Sequence, residues 1–367
     1  MSHIFSSWPD VAEIDLNQFG FGSSPVDDFL LHQTYRALIS RISEFGTISG
    51  NAGAIWRDVL SGHGKLIADL RDSGFEAFSS LAGRLFETAL THGFAQGHLV
   101  AQDLRARPEA RLHVATIILD RLYRLAEAVG AASVCNPEQH QHEIVAQGLD
   151  ALLDRIQQNV GFDLSPPRVN GRQFGVRIGG GILSERHFDA IYSAWRVKRL
   201  LEERCGEMTP VCEIGGGAGF LAHYARRAGI RDYCIIDFPT VGFVQFIILA
   251  SEFGADCVYL GPSLRDISLI STDHFEQDVD FSRFGIVVNT DSLPEMPGPI
   301  ARGYLKAAAR SGALLSINQE SAAEHMGFRQ SLVRDLCGGL LKPVYRFPSW
   351  LRMGWVEELF EPTEPRP

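Results

Sequence analysis

No stretch of 18 consecutive apolar residues occurs in this 367-residue chain, and 44 acidic against 34 basic residues leave a formal charge of -10. The first absence excludes a membrane-spanning helix on length grounds. The second argues against nucleic acid as a main partner, which would call for a basic face. No apolar block of signal-peptide type follows Met1, and Asp10, Glu13 and Asp15 stand where one would lie. The 6 cysteines, at 135, 205, 212, 234, 257 and 337, form no C-x-x-C pair. Reduced structural thiols in a cytoplasmic protein are expected, and no zinc site. The N-terminal region, before residue 163, carries no fixed repeat period. The phosphate-cradling G-x-x-x-x-G-K-[ST] is missing, and G-x-G-x-x-G fails because Phe220 stands at its last glycine.

What is present divides in two. A 45% apolar content suits a globular protein with a real core, and the length suits about two domains of roughly 150 residues. After an irregular start, apolar residues recur at three- and four-residue spacing over Asp27 to Phe45, Ala52 to Leu60, Gly64 to Asp72, Phe75 to Gly93, Glu109 to Val129 and Glu138 to Gln158. Glycine or proline separates these segments. Residues 1–162 are therefore expected to form an all-helical N-terminal domain. Residues 163–183, rich in glycine and proline, read as a linker with a short hairpin or as a lid. Ser184 looks like the cap of a helix over Glu185 to Glu203.

From 184 to 367 apolar strands alternate with helices. The expected strands are Val211 to Ile214, Tyr233 to Asp237, Cys257 to Leu260, Phe284 to Asn289 and Gly312 to Ile317, with Val344 to Phe347 and Gly354 to Phe360 closing. This predicts a doubly wound α/β domain with a parallel sheet covered on both faces. At its start Val211-Cys-Glu-Ile214 ends in an acid and a turn with glycines at 215, 216, 217 and 219. Glycine suits a backbone that turns sharply and lies against a ligand. A second acid, Asp237, ends the next apolar run, 24 residues on (213 to 237), where an acid accepts bonds from ribose hydroxyls. A nucleotide-like cofactor follows.

Glu213-x-Gly215-x-Gly217-x-Gly219 resembles motif I of the class I S-adenosylmethionine-dependent methyltransferases. Ile236-Asp-Phe-Pro239, Val288-Asn-Thr-Asp-Ser-Leu-Pro-Glu-Met296 and Ser316-Ile-Asn-Gln-Glu320, taken with it, are similar to the sugar O-methyltransferase family. The resemblance covers roughly 182–360 and leaves the N-terminal helices unmatched. It implies a Rossmann-like fold, S-adenosylmethionine as cofactor, and transfer of its methyl group to an acceptor hydroxyl, of a sugar or glycosylated metabolite in natural product biosynthesis. Cofactor binding is expected from Glu213, Gly215, Gly217, Gly219, Asp237, Phe238, Asn289 and Ser292. A peptide or other natural product as acceptor, or a non-catalytic cofactor-binding scaffold, stand as alternatives.

Transfer to a hydroxyl needs a base. Asp291, Glu295 and Glu320 follow strands four and five, and His187 lies on the helix before the glycine strand; the sequence leaves the choice among them open. Arg186 and Tyr192 are placed to meet the cofactor's carboxylate or to close the pocket. The spacing of the three carboxylates fixes no ligand set, and no metal is assigned. The helical half is expected to cover the substrate side or to build a homodimer face.

Overall fold

The computed structural model describes residues 14–23, 27–45, 52–134, 148–206, 209–263, 266–320, 324–325 and 328–364. Its first half holds strand β1 (Phe19–Phe21) and helices α1 (Asp28–Ile39), α2 (Ala54–Arg71), α3 (Gly74–Ala82), α4 (Gly97–Ala106), α5 (Pro108–Ala128) and α6 (Leu149–Val160). A hairpin of β2 (Phe174–Ile178) and β3 (Gly181–Leu183) leads to α7 (Glu185–Arg204). Then come β4 (Val211–Ile214), α8 (Phe220–Arg227), β5 (Tyr233–Asp237), α9 (Pro239–Phe253), β6 (Val258–Leu260), β7 (Ile267–Ser271), α10 (Phe275–Asp278), β8 (Ile286–Thr290), α11 (Gly298–Ala308) and β9 (Ala313–Gln319). A two-stranded ribbon, β10 (Glu324–His325) with β11 (Phe328–Arg329), precedes α12 (Val333–Cys337), β12 (Leu341–Pro348) and β13 (Trp355–Pro362).

Eight strands form one sheet in the order β12-β13-β9-β8-β4-β5-β7-β6. The six from β9 to β6 are parallel; β13 runs antiparallel to β9, and β12 antiparallel to β13. Side chains alternate across a strand, so each strand feeds two cores. Val211, Tyr233, Ile235, Ile286, Val288 and Leu315 join the core on the side of α7, α8, α9 and the N-terminal helices. Cys212, Ile214, Cys234, Ile236, Val287 and Leu314 join a second core with Tyr304 and Leu305 of α11 and Val333 of α12. Both faces are covered, which is why these strands read as continuous apolar runs.

The expectation of an all-helical N-terminal half needs correction. Phe19–Phe21 pairs antiparallel with Phe174–Ile178, which pairs with Gly181–Leu183, giving a three-stranded sheet. A three-residue strand has no readable period, and its partner lies more than 150 residues away. Ala52 to Leu60 and Gly64 to Asp72 join as α2. A helix-interior glycine costs about 1 kcal/mol, and burial of Leu60, His63 and Ile67 offsets Gly62 and Gly64. Helix α4 and strand β7 were not anticipated, and the apolar pattern after the fifth expected strand, which suggests a helix around Phe328 to Cys337, is helical only from Val333. Cys135 and residues 138–147 of the Glu138 to Gln158 segment lie outside the described residues.

One core cluster holds residues of both halves. Phe45 meets Phe243 edge-on at 5.7 Å and Phe246 at 6.2 Å, and Ser251 Oγ donates to Thr34 Oγ1 at 3.3 Å. Helix α1 therefore packs on α9 and α5 on α7. Truncating Phe243 to alanine should cost about 3–5 kcal/mol and lower a single, cooperative melting transition seen by circular dichroism. Two separate transitions, only one of them moved by Phe243→Ala, would show that the halves fold independently.

Candidate functional site

Strands β4 and β8 are neighbours, yet the chain leaves β4 toward β5 and leaves β8 toward β9. Connections that part in opposite directions open a crevice at the carboxyl ends of an α/β sheet. A cavity of about 370 Å³ lies there. Its floor includes Gly215, Gly216 and Gly217 after β4; Asp237 and Phe238 end β5, and Asp291, Ser292 and Glu295 follow β8.

The glycine turn is forced by space as well as by dihedral. Gly215, Gly217 and Gly219 have φ of +76°, +53° and +78°, the left-handed region that costs an L-residue energy. A Cβ on Gly215 would sit 2.3 Å from Ser292 Oγ. The Gly217 N–H donates to Asp237 Oδ2 at 3.0 Å, Phe238 N–H to Oδ1 at 2.8 Å, and Gln245 Nε2 to Oδ2 at 2.9 Å. Burial still lifts the Asp237 carboxyl to about 6, against the pull of those donors. Glu213 lies below the turn and accepts from Tyr233 OH at 3.0 Å; burial raises it to about 8. Gly219 is the left-handed N-cap of α8 and does not line the cavity.

Asn289 is fully buried and does not reach the cavity. Its Nδ2 donates to Ile214 O at 2.7 Å and to Ser292 Oγ at 2.5 Å, and its Oδ1 accepts from Asn318 Nδ2 at 2.9 Å. Ser292 Oγ also donates to Ile214 O at 3.0 Å. Asn289 is thus a tie between the ends of β4, β8 and β9, while Ser292 stands between that tie and the cavity wall.

The four residues weighed as base separate sharply. Asp291, at φ +69°, accepts from Arg186 Nη1 at 2.9 Å, Arg352 Nη1 at 2.5 Å and Trp355 Nε1 at 2.6 Å. Burial works to raise it, but the Arg352 and Arg186 guanidiniums outweigh that and hold it below its ordinary value. Glu295 lines the same cavity and accepts only from Trp56 Nε1, at 3.3 Å, among the described residues. Burial, then the Asp291 charge, raise it. His187 must be corrected: its Nδ1 accepts from Ser184 N–H at 3.1 Å in a capping box, its ring stacks on Phe220 at 4.2 Å, and burial lowers it to about 3. It caps α7 and lies outside the cavity. Glu320 must be corrected too. It pairs with Arg346 and, at 3.4 Å, with Arg334. Strand alternation turns Gln319 into the cavity and Glu320 away from it. Tyr192 borders the cavity, but its hydroxyl donates to buried Glu357 at 2.6 Å.

Trp56, Phe94, Arg352 and Trp355 also form cavity wall and were not found from the sequence. Trp56 and Phe94 come from the half without a motif. Arg352 and Trp355 flank the β12–β13 turn, and no local pattern separates such residues from ordinary loop composition. Among the described residues no group of three or more His, Cys, Asp or Glu side chains is placed to hold a metal, and no helix is long and apolar enough to cross a membrane.

No family model matches the chain, and no curated protein matches it in sequence. Solved structures similar to it include the CcbJ methyltransferase from Streptomyces caelestis, at 10% identity over 48% of this chain and 90% of that one, with a TM-score of 0.37. The glycopeptide N-methyltransferase MtfA complexed with S-adenosyl-L-homocysteine is 16% identical over 46% and 88% of the two chains, TM-score 0.33. The [4+2]-cyclase SpnF is 14% identical over 49% and 83%, TM-score 0.36.

A buried acid held protonated has a readable consequence. Between its ordinary 4.5 and about 8, Glu213 keeps its proton in the folded state and loses it in the unfolded one. Stability therefore falls with rising pH through that window. Glu213→Gln keeps an acceptor for Tyr233 and removes the titration. Its melting temperature relative to the native protein should rise from pH 5 to pH 8; an equal difference at both pH values would sink the assignment.

Proposed function

We propose that this protein transfers the methyl group of S-adenosylmethionine to a hydroxyl of a saccharide or glycosylated small molecule. The observation that carries this is the pairing, in one crevice, of a side-chain-free glycine turn with a carboxyl, Glu295, that no cation clamps among the described residues and whose proton affinity is raised. The residues fit the cofactor. No Cβ fills the floor at Gly215 and Gly217, and Asp237 is a half-buried carboxyl with no cation beside it among the described residues, so hydroxyl donors of a ribose would complete its bonding. Gly215, Gly217, Asp237 and Phe238 would hold the nucleoside, and Glu213 lies beneath. When bound, the cofactor supplies an electrophilic methyl on a positively charged sulfur, which becomes a neutral thioether after transfer.

Glu295 takes the acceptor hydroxyl's proton as the oxygen forms its bond to carbon. A carboxyl lifted by burial is better matched to that work than one clamped by cations. Asp291 therefore orients Arg186 and Arg352 and does not act as base. The Trp56 and Trp355 rings and the Gln319 amide border the same space and suit the apolar face and hydroxyl rim of a sugar.

Calorimetry should give micromolar affinity for S-adenosylmethionine, roughly -8 kcal/mol. Gly217→Val should abolish binding, since φ is positive there and Phe94 Cβ lies 3.4 Å from the new Cβ. Binding of NADH in its place would overturn the cofactor assignment.

With a panel of saccharide, aglycone and peptide acceptors, Glu295→Gln should lower turnover by at least about 10² with cofactor affinity unchanged. Asp291→Asn should mainly lower the melting temperature. Methylation of peptides alone would displace the sugar reading, and no methylation by a folded, cofactor-bound protein would favour a scaffold.

A further inference from the structure

The glycine turn and the carboxyl beside it belong to the α/β half, but the one side chain among the described residues that donates to that carboxyl does not. We propose that Trp56, on N-terminal helix α2, is a positioning residue for the transfer: its indole N–H holds Glu295 in the cavity, so the active centre is assembled from both halves of the chain. This rests on the reading of Glu295 as base.

Trp56 Nε1 donates to Glu295 Oε2 at 3.3 Å, across 239 residues of sequence. The indole is half-buried and held between aromatic rings at the cavity wall. Its ring lies 6.5 Å from Phe94, stacked, and 6.0 Å from Phe238, tilted. Its outer edge comes within 3.3 Å of where a Cβ on Gly93 would be, and Gly93 has φ +95°. The start of α2 abuts the loop that carries the carboxyl: a Cβ on Gly53 would meet Pro297 Cδ at 3.3 Å and Glu295 O at 3.7 Å. On the other side Glu295 has a short turn, Leu293–Glu295, closed by its N–H on Ser292 O at 3.1 Å. Glu295 thus has its backbone hydrogen-bonded in a turn and, among the described residues, a single side-chain donor. Packing alone would need an aromatic ring at 56; it would not need the nitrogen to face a carboxylate.

The charged groups that act on Glu295 are Asp291, Arg186 and Arg352, and all three are engaged with one another. Removing the indole N–H therefore leaves their field in place and withdraws only a bond that favours the ionised carboxyl.

Trp56→Phe keeps a ring and loses the donor. In the full-length protein it should lower kcat by about tenfold or more, the scale of a hydrogen bond to a charged group. The acid limb of the kcat pH profile should shift to higher pH, while affinity for S-adenosylmethionine stays within about twofold of native. In a Glu295→Gln background the same change should add little, because the two act as one unit. Normal kcat and an unmoved acid limb in Trp56→Phe, or a loss that multiplies fully with that of Glu295→Gln, overturns the proposal. A drop confined to melting temperature does so too. Full activity in Glu295→Gln alone fails the base assignment instead, whatever Trp56 does.

Discussion

The buried Asn289 amide holds the carboxyl ends of three strands together, and the cavity depends on it. Where parallel strands stop, backbone carbonyls lose their ladder partners, and a buried orphan costs about 1–3 kcal/mol. Ile214 O, at the tip of β4, is such a group. It receives Asn289 Nδ2 and Ser292 Oγ, and Asn318 Nδ2 from β9 closes the set on Asn289 Oδ1. Because Ile214 precedes Gly215, this tie fixes where the glycine turn begins. Because Ser292 follows Asp291, it also fixes where the acidic loop leaves β8. The glycine turn after β4 and the Asp291–Glu295 loop after β8 are set by one hydrogen-bonded unit.

Around that unit charge is arranged in two manners. Asp291 sits among Arg186, Arg352 and Trp355, and Arg352 lies 3.7 Å over the Trp355 ring. Arg352 also nears Asp189, which pairs with Arg121 of α5 at 3.2 Å, and Arg121 Nη1 donates to Leu351 O at 2.5 Å. This network joins α5, α7, the β8 loop and the β12–β13 turn. Among the described residues Glu213, Asp237 and Glu295 have no cation in contact, and burial raises all three. Carboxyls of one type thereby sit in opposite settings: Asp291 is a fixed anion that braces the wall, while Glu213, Asp237 and Glu295 hold a proton more readily than a free carboxyl does.

The N-terminal half is more than a cover. Its α1 shares a core with α9, and its Trp56 and Phe94 stand over the glycine turn. A lone α/β unit would leave that turn open to water. Enclosing it lowers the local dielectric, which raises the carboxyls and strengthens each remaining polar contact.

Residues 211–219 could be read as strand, turn and helix because the requirement is local: an apolar run, an acid and glycines where φ turns positive. Asp237 was legible by spacing, and two closing strands were expected at Val344 to Phe347 and Gly354 to Phe360, within β12 and overlapping β13. His187 and Glu320 were misplaced because sequence order brings a residue near a strand end without saying which way it faces; a helix cap took one, and strand alternation turned the other outward. Trp56 was invisible, since its partner lies 239 residues away. The sequence by itself determined the α/β order and the glycine floor, both products of short-range backbone and side-chain constraints. Only the tertiary structure decided which carboxyl is clamped by cations and which is raised, because burial and the cations come from segments that meet when the chain folds.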